Sequence, residues 1–162
     1  MGAMFETKSG RPISYYGREY TADIQREKEK DCAIHSIDQL FAILLDVWCK
    51  DTAYPSCQKD YDYENDPTYG QCAITATLVY DMFGGTIHKI RVDGGGTHYF
   101  NQINNHYIDL TRDQFDLYNI PVEYDYNEVV PRKYCGTNAD TRKRYQLLVQ
   151  LISEWLSNHK SQ

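Results

Sequence analysis

Three residues of this chain have the types and order of a nucleophilic triad: Cys72, His98 and Asp109. A cysteine attacks as its thiolate, and an imidazole takes the thiol proton and later protonates the leaving group. A carboxylate holds the imidazole in one tautomer and stabilises its charged form. Cys72 follows the breaker Tyr69-Gly70 and opens the apolar run Cys72–Phe83. At the first turn of a helix, unpaired N–H groups and the macrodipole favour an anion, so a thiol there is shifted toward thiolate. The same N–H groups can stabilise an oxyanion on an attacked carbonyl. Gln71, directly before the cysteine, is a second candidate oxyanion donor through its side-chain amide; solvating the loop is its other reading. Singly, each residue is ordinary, since a lone cysteine is most often a small buried core residue. Their combination carries the argument.

A hairpin supplies the partners. Thr97–Ile103 and His106–Thr111 read as strands joined by Asn104-Asn105, a tight turn. That turn sets Ile103 opposite His106, Gln102 opposite Tyr107, Phe100 opposite Asp109 and His98 opposite Thr111. Asp109 then becomes the diagonal neighbour of His98 on one face, about 7–8 Å away between Cβ atoms. Tyr99, Ile103, Ile108 and Leu110 form the other, mostly apolar face. A slip of one residue would put the histidine and the acid on opposite faces.

The positioning elements follow from hydrophobic spacing. Ile34–Trp48 carries one apolar stripe at intervals of three and four, with Ser36 as a candidate N-cap. Residues 50–70 are loop-like, broken by Pro55, Pro67 and Gly70. Cys72–Phe83 has no charge before Asp81 and predicts a buried central helix stopped by Gly84-Gly85. Thr86–Val92 predicts a strand, and residues 112–136 are irregular and rich in tyrosine. About Asp140–Leu156 is an amphipathic helix, with Asn138 or Asp140 as its cap. Residues 1–30 are polar and read as peripheral, with the charge run Gln25–Asp31 as a solvated helix or approach segment. This order predicts one α+β domain over residues 1–162.

Composition narrows the function. The net charge is −6, from 17 Lys and Arg against 23 Asp and Glu, which disfavours a nucleic-acid partner. The apolar run Leu40–Trp48 is interrupted by Asp46 and is far short of the roughly 20 residues that span a bilayer, so no membrane partner is expected. Five cysteines without a secretory signal point to free thiols in the cytoplasm. They offer no CxxC pair, and Asp60, Asp62, Glu64 and Asp66 lack an EF-hand's glycine and spacing. Neither metal nor cofactor is implied. Thr111-Arg112-Asp113 reads as the cap of a short helix or as an anion contact. Fifteen tyrosines suit half-exposed grooves and contact surfaces.

Several blocks resemble the YunG-like family of small bacterial proteins: Asp66–Ala76 around Gly70-Gln71-Cys72, Phe83-Gly84-Gly85, Thr97–Asn101 and Ile108–Phe115. Trp48 with Asp51-Thr52, and Asn138–Leu147, are similar too, so the resemblance runs from about Leu40 to Leu156. It implies no substrate. The order Cys, His, Asp also resembles the papain-like and transglutaminase-like superfamily. That likeness implies a cysteine opening a central helix packed on an antiparallel sheet that carries the other two residues. Cys72 then matches the nucleophile, His98 the base and Asp109 the orienting acid. Gln71 departs from the papain pattern, where the oxyanion glutamine precedes the cysteine by several residues. The expectation is a thiol-dependent hydrolase or acyltransferase acting on a peptide, protein or small amide. The alternative is a non-catalytic interaction module with a tyrosine-rich surface.

Overall fold

The computed structural model describes residues 4–24, 33–94, 96–135 and 138–159; the charge run 25–31 and Cys32 lie outside the described residues. The chain begins with a small antiparallel pair, β1 (Phe5–Glu6) and β2 (Pro12–Ile13). This arm is not peripheral. Phe5, Ile13, Tyr15 and Ile24 enter the main core, and the Phe5 and Tyr15 rings lie 4.9 and 5.0 Å from Phe41. Polar residues between these anchors mask them in the sequence. Arg11 makes a two-pronged bond to Asp113 at 2.9 and 2.8 Å, and Arg18 pairs with Asp38.

A capping box starts the first helix. Ser36 Oγ accepts from the Gln39 backbone N–H, and Gln39 Oε1 accepts from that of Ser36, both at 3.1 Å. Helix α1 (Ile37–Val47) then buries Ile37, Leu40, Phe41 and Leu44 on its stripe. Trp48 ends it fully buried, and its indole N–H donates to Thr75 Oγ1 at 3.1 Å. The polar atom of the largest core side chain is thereby satisfied. Helix α2 (Cys72–Phe83) is buried from Ile74 to Val79 and stops at Gly84 and Gly85, both in the left-handed region. A Cβ on Gly85 would lie 2.2 Å from the Gln102 carbonyl oxygen, so only glycine lets the chain turn back here.

The strands β3 (Thr86–Arg91), β4 (Thr97–Ile103), β5 (His106–Ile108) and β6 (Glu128–Val130) form an antiparallel sheet in the order β5-β4-β3-β6. Asn104 and Asn105, at φ 52° and 67°, make the predicted turn, and the register Ile103–His106, Gln102–Tyr107 is the expected one. Two features differ. Strand β6 was not anticipated, being three residues long with a charge at its start. Strand β5 stops at Ile108 rather than Thr111, and on the side facing away from β4 the Asp109 backbone bridges Tyr16, with N–H···O bonds of 3.1 Å in both directions. The ladder pairs Phe100–Asp109 and His98–Thr111 therefore do not form, and β4 is left open on that side before Asn101.

The remaining α-helices are the short α3 (Asp113–Asp116) and α4 (Arg132–Cys135), and the long α5 (Ala139–Asn158), capped by Asn138. The fold is mixed α+β with antiparallel sheets. Helix α2 lies against β4, where Asn101 Nδ2 donates to the Ala76 carbonyl at 2.9 Å. Leu148 and Ile152 of α5 join the α1 stripe on the main core. No helix among the described residues is long and apolar enough to cross a membrane.

The bridge at Tyr16 needs a close approach at Gly17, where φ is +85° and a Cβ would meet the Tyr107 carbonyl oxygen at 2.2 Å. Gly10 has a similar φ, +88°, but open space around it. Gly17→Ala is expected to cost about 2–3 kcal/mol and Gly10→Ala about 1 kcal/mol, compared by urea unfolding. Equal losses would show that contact with Tyr107 does not matter.

Candidate active site

Cys72 is the first residue of α2, half-buried in the wall of a cleft of about 860 Å³. No side chain caps this helix start, whereas Ser36 caps α1 and Asn138 caps α5. The first intrahelical bond runs from the Thr75 N–H to the Gln71 carbonyl, which leaves the N–H groups of Cys72 and Ala73 at the uncapped end. Both residues line the cleft.

Where β5 stops, the open edge of β4 brings His98 and the Tyr99 backbone N–H to the thiol. His98 is 1% exposed, and its Nε2–H donates to Asp109 Oδ2 at 2.7 Å, the carboxylate being able only to accept. Nδ1 is the nitrogen left for Cys72. It is buried without a formed hydrogen bond, so the thiol–imidazole contact is looser than the imidazole–carboxylate one. The Phe115 ring meets His98 edge-on at 4.7 Å and limits its rotation.

Asp109 is 1% exposed and amply hydrogen-bonded. Besides His98, Oδ2 accepts from Tyr124 Oη at 2.7 Å, and Oδ1 accepts from the Thr111 N–H and hydroxyl at 3.1 and 3.3 Å. Burial alone would raise its pKa, but the charge and hydrogen bond of His98, with Tyr124 and Thr111, hold it below the ordinary value. Burial would lower the His98 pKa, yet Asp109 and the thiol raise it to about 10. Burial would likewise raise the Cys72 thiol, but His98 and the Tyr99 N–H bring it down. The arrangement favours a thiolate–imidazolium pair backed by a carboxylate.

Three of the four expected site residues converge; Gln71 does not. Its side chain is fully buried, Nε2 donates to the Cys49 carbonyl at 3.0 Å, and it does not line the cleft. It ties the helix start to the turn after α1, which leaves the backbone N–H groups of Cys72 and Ala73 as the donors facing the cleft. Tyr124 and Thr111 are the partners that sequence reasoning missed. Asp109-x-Thr111 has the spacing of an Asx turn, a usable local signal. Tyr124 gives none, lying in irregular chain. Arg112 spans Asp116 at 2.9 Å and Tyr124 Oη at 3.3 Å rather than capping α3. Of the other histidines, His88 is held by Thr86 and Asn127, and His106 stacks on Tyr20. Among the described residues no three His, Cys, Asp or Glu side chains are grouped as metal ligands would be.

Fold and site define a mixed α+β protein with a cysteine, a histidine and an aspartate aligned beside one cleft. Residues 36–157 match the family described as YunG protein, and the chain belongs to that family. It is similar to the uncharacterized protein YunG of Bacillus subtilis (strain 168), with 36% identity over 96 residues, 59% of this chain and 77% of that one. No solved structure matches it. The β1–β2 arm lies ahead of the matched region.

Asp109→Asn tests the electrostatics. Without the carboxylate, the Cys72 thiol alone is left to offset burial, and the imidazole pKa falls. His98, followed by NMR across pH, is expected to titrate near 10 in the wild type and at clearly lower pH in the variant. An unchanged titration would mean that Asp109 does not govern it.

Proposed function

We propose that this protein is a thiol-dependent amide hydrolase or acyltransferase whose core works in the manner of the papain-like and transglutaminase-like superfamily. The observation that carries this reading is the line Asp109–His98–Cys72 ending at an uncapped helix start in an open cleft. Cys72 Sγ attacks the substrate carbonyl, and the C=O electrons move to the oxygen. The N–H groups of Cys72 and Ala73 stabilise that oxyanion. As the tetrahedral adduct collapses, the C–N bond breaks and the His98 imidazolium gives its Nδ1 proton to the leaving amine. A thioester remains on Cys72. Water, deprotonated by the now neutral His98, hydrolyses it to the acid; an amine in its place gives a new amide. Asp109 stays ionised throughout and stabilises each imidazolium stage.

The pH dependence follows from the two shifts. The Cys72 pKa is lowered, so thiolate persists on acidification below the range of an ordinary thiol, and it is lost as pH falls through that lowered value. The His98 pKa is raised, so imidazolium persists until pH rises through about 10. The ion pair fills the window between them. Iodoacetamide alkylation, mapped to each cysteine by mass spectrometry at pH 6, is expected to be at least about tenfold faster at Cys72 than at Cys49 or Cys57. In His98→Ala, burial is left as the leading influence on the thiol, and that advantage is expected to vanish. A Cys72 that reacts only above pH 8, in wild type and variant alike, would refute the proposal.

A further inference from the structure

The block Asn138–Leu147 shares the family resemblance, yet the proposed chemistry gives it no task. It supplies Asn138, Thr141 and Arg144 to the wall of the cleft that holds Cys72. Spaced by three, these residues fall on one side of α5. Arg144 is 4% exposed and rigidly held. Nε donates to Asp140 Oδ2 at 2.8 Å, Nη1 to the Thr52 carbonyl at 3.2 Å and Nη2 to Thr141 Oγ1 at 3.4 Å. Its Cζ lies 5.6 Å from the Tyr54 ring centroid. A guanidinium has five N–H donors, so Nη1 and Nη2 each keep one. The balancing carboxylate, Asp140, is half-exposed. A fixed planar fork with spare donors on its two terminal nitrogens suits an oxygen pair such as a carboxylate.

The cleft has a second, different wall. Val92, Phe115 and Ile120 are apolar, and Phe115 packs on the His98 ring. Asp93, the carboxylate of the lining, sits beside Val92 in the β3–β4 loop. His98 must reach the leaving nitrogen to protonate it, which puts the leaving group on the Phe115 side. The acyl portion then extends toward Tyr54 and α5.

We propose that Arg144, flanked by Asn138 and Thr141, is the anion-recognising subsite of the cleft, and that the substrate is an amide whose acyl portion bears a carboxylate. This inference rests on the reading of Cys72 as the nucleophile. Its test uses three methanethiosulfonates that modify thiols and differ in charge: the neutral methyl, the anionic sulfonatoethyl and the cationic trimethylammonioethyl reagents. Rates at Cys72 are mapped by mass spectrometry in the full chain, in Arg144→Gln and in Arg144→Lys. The anionic-to-cationic rate ratio is expected to fall about tenfold in Arg144→Gln and to be kept in Arg144→Lys, as one nearby charge in a partly solvated site requires. An unchanged ratio in Arg144→Gln, or an equal fall in both variants, overturns the subsite. If loss of the Thr52 tie prevents Arg144→Gln from folding, Asn138→Asp preserves the helix cap and sets a carboxylate on the same wall of the cleft. There too a lowered ratio is expected, and an unaltered one overturns the proposal. A wild-type Cys72 that is slow toward the neutral reagent at pH 6 defeats the nucleophile reading itself, an outcome distinct from an unchanged ratio.

Discussion

An ionised carboxylate sealed from water is the constraint around which this end of the molecule is organised. Asp109 stays charged only because donors from separate parts of the chain converge on it: the imidazole of β4, the Tyr124 phenol from irregular chain, and Thr111 just beyond β5. Burial and the charge of Asp109 hold Tyr124 far above the range in which a phenol ionises, so it remains a donor. The Asp109 backbone is committed as well, to Tyr16 of the N-terminal arm. Removing one partner of such a buried pair strands a charge, which typically costs about 3–5 kcal/mol. Pairing the carboxylate and aligning the histidine are thus a single structural task.

The β5–β4 ladder ends just before the residue that carries this carboxylate. Had the hairpin continued to Thr111, Asp109 would have faced Phe100 in the ladder, and the β4 edge beside His98 would have been covered. Because β5 pairs with β4 only as far as Ile108, the edge beyond stays open, and the Cys72 end of α2 reaches it. The Tyr99 N–H, which a longer β5 would have occupied, interacts instead with the Cys72 sulfur. One strand shortened by three residues admits the thiol and frees a donor for it.

Features governed by local rules were legible in the sequence. Helix α2 begins at Cys72 and ends at Phe83 as predicted, because apolar continuity meets a glycine pair able to adopt positive φ. The Asn104-Asn105 turn fixes the hairpin register for the same kind of reason: asparagine tolerates the left-handed region. That register put His98 and Asp109 on one face, although the bond between them forms beyond the end of the ladder. What was illegible depends on pairing between distant segments. Nothing local tells Tyr16 to seek Asp109 or selects Tyr124 from fifteen tyrosines. Gln71 misled for a related reason: adjacency to the cysteine says nothing about direction. As the residue before the first turn of α2 it points away from the thiol, toward Cys49.

Unmet polar burial is concentrated in the same place. Four buried side-chain atoms among the described residues lack a protein hydrogen-bond partner: Asp66 Oδ1, Thr68 Oγ1, Gln71 Oε1 and His98 Nδ1. The first three lie in the six residues leading into Cys72, and the fourth is the nitrogen turned to its sulfur. Burial also pushes the Asp66 carboxyl up to about 6, which marks that approach as an unfavourable place for charge. A buried polar group left without any partner costs about 1–3 kcal/mol. Elsewhere the fold pairs its buried polar atoms, with a capping box, a satisfied indole and an asparagine tied to a helix carbonyl. The unpaired atoms are the exceptions to that pattern. Here they gather on the segment that presents the thiol and on the nitrogen that faces it.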